Sequence, residues 1–442
     1  MKNVILWQKN LEEKIYKHRR ILLKKKRKKR HSSYEFKGGS INRIFLSCEL
    51  NILNKAGFIQ ANYIKRDILS PKVFSLKDNF DECIQFYKSI ISSYILGEGN
   101  VTINFEKCSS ATIASFSLLE IFIQELEVFK YKYNTNKFQL CEKKIYFKHS
   151  LIDIKTNKYL HSFFGLQLPS NQDDGSKYLK LNMLDGKKRV YYENAKSQAC
   201  SKITHFVNKS AYEAGAELKE KGKHALDGLL GEVLGNAEDH CGNHSRWFVN
   251  GISFSEKQHN IDVVDLNLTI INFGPSMFEG FENTKYDNQI NYAKCQQRFE
   301  KHKALFTLNS RFEKEALFTL YMLNDGISRL KYKDESRGNG MMRFLKSFIS
   351  LGSFGEQDSR FKCQLNVVSG HTILTCDNDM KYYKKDKFDV LSLNKENNMD
   401  KLPDKNYLIS NLKYFPGTIL ECHIFLNKDY FYTKLNENDR IN

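Results

Sequence analysis

One stretch of sixteen residues constrains this 442-residue chain more than any other. Residues 225–240 read ALDGLLGEVLGNAEDH, with Leu226, Leu229, Leu230, Val233, Leu234 and Ala237 recurring at the spacing of one helix face. At about 100° per residue, Glu232, Asn236 and His240 form a second stripe along the edge of that face. A carboxylate and an amide four residues apart at a core border are placed to line a pocket. The alternative is an ordinary amphipathic helix with a solvated polar edge.

The surroundings predict an α/β protein. The pattern 195–221 predicts a long helix that hands over at Gly222 to the helix just described. Upstream, Val101–Phe105 predicts a short strand, Cys108–Ser110 a polar turn, and 115–127 an apolar helix. Lys144–Phe147 and Tyr178–Leu181 also predict strands. No apolar run approaches the ~18 residues of a membrane span, so no membrane partner is expected. Ten cysteines without a C-x-x-C pair point to reduced thiols and a cytoplasmic setting. His240, Cys241 and His244 offer three zinc-ligand types, and a fourth is not in sight.

The net charge of +18 is concentrated. Residues 1–30 hold 13 Lys/Arg against 2 Asp/Glu, whereas the other 412 hold 56 against 49. The run Lys24, Lys25, Lys26, Arg27, Lys28, Lys29 and Arg30 closes this arm. It reads either as a contact for nucleic acid through residues 1–31, where neutralised phosphates release counterions, or as a solvated tail.

Two resemblances sharpen this outline. The stretch INFEKCSSATIASFSLLEIF resembles the central segment of a STAS-like domain, in which a strand leads through a Ser-containing loop into a helix. It offers Ser109, Ser110, Ser115 and Ser117 either as a regulatory phosphorylation site or as turn and cap residues. Residues of about 200–427 resemble the GHKL superfamily of ATPases and kinases, beginning with Glu-x-x-x-Asn-Ala-x-x-His at 232–240. That resemblance implies Mg²⁺ bridging ATP phosphates on Asn236 and a catalytic Glu232 that polarises the attacking nucleophile. LTIINFGPS at 268–276 resembles the first glycine box, with Asn272 at the adenine-reading position, Gly274 next, and Ser276 in place of the second glycine. Gly338-x-Gly340 opening a helix resembles the second box. Lys331, Lys333 and Arg337 precede it as candidate phosphate contacts, and Thr418 falls at the family's Gly-Thr position.

The expected organisation is therefore a basic arm at 1–35, a STAS-like α/β domain at 36–194, a Bergerat-type ATP-binding domain at 195–427, and a tail at 428–442. The ATP-binding domain is expected as an α+β sandwich, a mixed sheet covered by helices. A helical insert within about 281–337 is expected to order as a lid. The implied function is a Mg-dependent ATPase serving as a nucleotide-controlled switch in signalling or phage defence, read by a protein partner or a second copy. The alternatives are an anti-sigma-like serine protein kinase acting on a STAS domain, and a non-enzymatic nucleic-acid-binding protein.

Overall fold

The computed structural model describes residues 46–134, 143–149, 154–166, 178–187, 194–240, 246–258, 261–307, 311–324, 327, 340–351, 361–377, 382–385 and 388–428. The basic arm, Lys24–Arg30 included, and residues 429–442 of the expected tail lie outside them. Described residues up to 74 and from 85 to 166 form one compact unit; 75–84 and those from 178 onward form a second.

In the first unit, β1 (Asp67–Leu69), β3 (Val101–Asn104) and β5 (Ile145–Lys148) make a parallel sheet in the order β1-β3-β5. The short strands β2 (Val73–Phe74) and β4 (Ser110–Ala111) pair in parallel beside it. Helix α1 spans Cys48–Lys55, and α2 (Phe80–Leu96), α3 (Ile113–Asn134) and α4 (Ile154–Phe164) follow. Parallel neighbours need long crossovers, and α2 and α3 supply them. The core is aromatic: Phe74 meets Phe86, Phe105 and Phe116 edge-on at ring separations of 5.3–5.6 Å. The expected strand, Ser turn and helix occur here as β3, β4 and α3. Ser115 and Ser117 are buried within α3, whereas Ser109 sits in the turn and donates to the Lys72 carbonyl at 3.1 Å.

The second unit is built on β6 (Tyr178–Gly186), β7 (Trp247–Gln258), β8 (Ile261–Phe273), β9 (Gln364–Asp377) and β12 (Leu408–Leu426). Their order is β6-β7-β8-β12-β9, and every neighbouring pair is antiparallel, so this sheet is not the mixed one expected. Because β6 is its edge strand, the second unit begins before the boundary expected at 194/195. A separate hairpin joins β10 (Tyr382–Lys385) to β11 (Phe388–Leu391).

Helices cover one face of the large sheet. They are α5 (Asn194–Glu213), α6 (Glu220–His240), α7 (Met277–Glu282), α8 (Gln289–Lys303), α9 (Lys314–Leu323) and α10 (Gly340–Leu351). Strand alternation sends Val264, Leu266, Leu268 and Ile270 of β8 into one core with Leu230, Val233 and Leu234 of α6 and Phe344 of α10. The expected helix 195–221 stops early. Gly215 takes φ +80°, and the amides of Gly215 and Ala216 bond back to the carbonyls of Tyr212 and Ala211. This is the Schellman closure that only a left-handed residue completes easily. Gly222 lies inside α6 instead of at the junction.

The insert also departs from expectation. Phe281, Cys295, Phe312 and residues 316–318 and 320–321 are buried in the core of the second unit. The described helices of 281–323 are therefore structural rather than a segment waiting to be ordered as a lid.

On the face opposite the helices, Thr269, Glu421 and Asn366 lie side by side on β8, β12 and β9, all buried. Asn366 donates to Glu421 at 3.1 Å and accepts from Thr375 at 3.0 Å. Two residues along, Asn267 donates to Asp265 at 2.7 Å, and Nε2 of His423 lies 2.7 Å from the same carboxylate oxygen.

Candidate nucleotide site at the end of the sheet

On the helix-covered face, the apolar alternation of β8 ends in a polar residue. Asn272 follows Leu268 and Ile270 on the same side and is 4 % exposed. Its cross-strand partners are Thr418 on β12 and Trp247 on β7. Thr418 is in turn paired with Ser369 on β9, their hydroxyls 3.0 Å apart. Three short polar side chains thus form a row across β8, β12 and β9. Within that row the Asn272 Nδ2 is buried without a hydrogen-bond partner. A buried, unmatched amide costs about 1–3 kcal/mol, so a native structure retains one for a reason.

Glycine makes this end possible. A Cβ on Gly417, at φ +146°, would overlap the carbonyl oxygen of Asn272, so no other residue lets β12 approach β8 there. Ser369 bonds three ways: to the Gly417 carbonyl at 3.1 Å, to Thr418, and from the Met277 amide at 2.8 Å. That last bond ties the first turn of α7 to the row. Ser276, standing where the second glycine was expected, is the N-cap of α7. Its hydroxyl accepts from Glu279 N while the Glu279 carboxylate accepts from Ser276 N. A serine suits this position because it starts a helix and supplies the capping oxygen.

Asn236 is half-buried on α6, one residue before the core residue Ala237. Two residues further, Glu238 accepts from the indole N–H of Trp247 at 3.2 Å, fixing the last turns of α6 to the strand position facing Asn272. Glu232 is 43 % exposed, and its carboxylate lies 3.6 Å from Arg343 on α10. Gly340 is the first residue of α10, and Met342, Phe344 and Leu345 seat that helix in the same core. Gly274 begins the turn after β8, its amide bonded to the Pro416 carbonyl at 3.2 Å.

The structure thus brings Asn272 and Thr418 into direct register, with Gly274 beside them, and sets α6 and α10 over the same sheet face. Gly338, Lys331, Lys333, Arg337, Cys241 and His244 lie outside the described residues, as does the side chain of His240. Among the described residues no group of three His, Cys, Asp or Glu is placed to hold a metal ion. Sequence reading missed Ser369, although its alternation with Leu365 and Val367 puts it on this face. It also missed Gly417 and Arg343, whose roles depend on contacts between distant segments. No protein-family model, no curated protein and no solved structure matches this chain.

Proposed function

We propose that the second unit is a purine-nucleotide-binding module of the GHKL type, working as a nucleotide-controlled switch with slow Mg-dependent ATP hydrolysis. The observation that carries this reading is the pairing of Asn272 with Thr418, with the Asn272 amide buried and unmatched. A purine edge presents ring nitrogens and an exocyclic group, which are the acceptors and donors such an amide lacks. The α6 stripe and the glycine-opened α10, on one face of the sheet, support the reading, whereas the wholly antiparallel sheet departs from the mixed one that the resemblance implies. Asn236 offers a side-chain oxygen of the kind a hard cation takes. Mg²⁺, when bound, neutralises charge on the phosphates. In this reading Asn236 holds the metal–phosphate end and Asn272 with Thr418 the base. Glu232 orients the attacking water, and Arg343 is its exposed ion-pair neighbour at 3.6 Å.

The kinase alternative is narrower than the sequence left it. Ser115 and Ser117 are enclosed in α3, which leaves Ser109 and Ser110 of that stretch as the reachable hydroxyls. Incubation with γ-labelled ATP separates the readings. Free phosphate, reduced by ~10²–10⁴-fold in Glu232→Ala, supports the ATPase. Stable label on Ser109 or Ser110 supports the kinase. Hydrolysis undiminished in Glu232→Ala removes Glu232 from the chemistry.

A further inference from the structure

Helix α8 carries a feature that the nucleotide site does not use. Lys294, Arg298 and Lys301 follow one another at i, i+4 and i+7, which stacks three cations on one face. With Gln297 they line one side of a cavity of about 240 Å³, and Met399 and Asp400 lie on the other side. None of these residues belongs to the Asn272–Thr418 row or to α6. Between 289 and 303 the helix has a single carboxylate, Glu300, which faces Lys303 at 4.0 Å. Among the described residues, no carboxylate lies within ion-pair distance of Lys294, Arg298 or Lys301. Asp400 at the rim offsets one of the three charges and leaves an excess of two.

The walls are fixed from beneath. His302, 1 % exposed, meets the Met399 carbonyl through Nε2 at 2.8 Å and the Tyr321 hydroxyl through Nδ1 at 2.6 Å. A carbonyl only accepts, so Nε2 carries the proton and Nδ1 accepts from Tyr321. One imidazole therefore locks α8 both to the 399–400 loop and to α9. The Arg298 guanidinium lies over the Tyr321 ring, 5.5 Å from its centre, which restrains the one cation able to fork two bonds onto an oxyanion. Like charges at i and i+4 repel, and holding three of them around a fixed hollow leaves a site that an anion completes.

We infer that the α8 cavity is a binding site for a compact, multiply charged phosphate group, separate from the nucleotide row. Its size is below the ~300–1,000 Å³ of pockets that enclose drug-sized ligands, so it accepts a diphosphate-sized group rather than a whole nucleotide. Arg298 supplies the forked contact, and Lys294 and Lys301 supply point charges on either side.

The test is calorimetric titration of the full chain with inorganic pyrophosphate, without Mg²⁺, at two salt concentrations. The inference predicts saturable, salt-sensitive binding that Arg298→Gln weakens tenfold or more. The exposed double variant Lys294→Gln/Lys301→Gln should weaken it comparably, with unchanged melting. Asn236→Ala should leave it intact. Absence of saturable binding, or wild-type affinity in both cavity variants, overturns the inference. Loss in Asn236→Ala with retention in Arg298→Gln overturns it too, because it returns the phosphate to the nucleotide site. A parallel titration with a short single-stranded RNA distinguishes the source of the phosphate: RNA binding tighter than pyrophosphate and abolished by the double variant would overturn the compact-ligand assignment.

Discussion

On the helix-covered face of the five-stranded sheet, Leu266, Leu268 and Ile270 of β8 lead to Asn272 at its end, beside Thr418 and Ser369; elsewhere on that face Ser253 of β7 is buried and accepts from Ser210 of α5 at 2.9 Å. On the opposite face, polar residues run through the middle of the sheet, and they join one another: Thr375 to Asn366 to Glu421, and Asn267 and His423 to Asp265. Apart from His423, whose side chain is 26 % exposed, both sets are buried. The difference is one of degree: Thr375, Asn366 and Glu421 bond one another within the sheet, whereas the Asn272 amide at the strand end has no partner. A polar cluster whose members satisfy each other specifies register and resists exchange, whereas one with an open donor at a strand end waits for something outside the chain.

The largest effect expected from this contrast is on the closed face. Glu421→Ala removes the acceptor of the Asn366 amide inside the sheet and leaves a cavity. It should lower stability by about 2–4 kcal/mol, read as a shift of the urea midpoint at constant slope. A midpoint within experimental error of the wild type would mean that the opposite-face row does not hold the fold.

A second effect concerns the buried imidazole between α8 and α9. Burial lowers the pKa of His302 from its ordinary value of 6.5, against the raising influence of the Met399 carbonyl and the Asp400 charge. Below 6.5 the unfolded chain takes up a proton that the folded site resists, so stability falls with pH from about 6.5 down to the folded value. Thermal melting at pH 7.5 and pH 5.5 should show a larger drop for the wild type than for His302→Gln, which keeps a donor for the Met399 carbonyl. Equal drops would show that His302 does not set the pH response.

The smallest effect belongs to the open face. A neutral amide turns to present either donor or acceptor, so Asn272 discriminates adenine from guanine weakly. In competition, ATP should be preferred over GTP by less than about a hundredfold, or ~2.7 kcal/mol. A firmer preference would mean that another group reads the base.

Much of this contrast was legible before any coordinates. The α6 face, with Val233, Leu234 and Ala237 inward and Glu232 at the edge, follows from periodicity alone. So does the strand–turn–helix run of β3 to α3. The alternation that carries Leu268, Ile270 and Asn272 onto one side is equally local. What local pattern did not carry was pairing. Nothing near Gly417 announces that its missing Cβ makes room for the Asn272 carbonyl. Ser276 differs: Ser-x-x-Glu at 276–279 is a capping-box pattern readable from the sequence, and the glycine-box reading passed over it. β9 illustrates the same limit: across Gly370 its core-facing positions change from Leu365 and Val367 to Leu374 and Cys376, a register change visible only once β12 is beside it. The insert was also misread. Only α8 is polar in composition; α9 is apolar along most of its length, and with Phe281 of α7 it forms part of the core.

The open valence of Asn272 is the central claim, and Asn272→Leu tests it most directly. Leucine is nearly isosteric and removes the unmatched amide. Calorimetric titration with Mg-ATP, paired with urea unfolding of the same preparations, should show saturable binding by the wild type. The variant should lose affinity by tenfold or more, worth about 1.4 kcal/mol, while its stability is equal or higher. Affinity unchanged in a folded Asn272→Leu variant, or stability lost in step with affinity, would contradict the account and place Asn272 among the polar residues that only hold the sheet together.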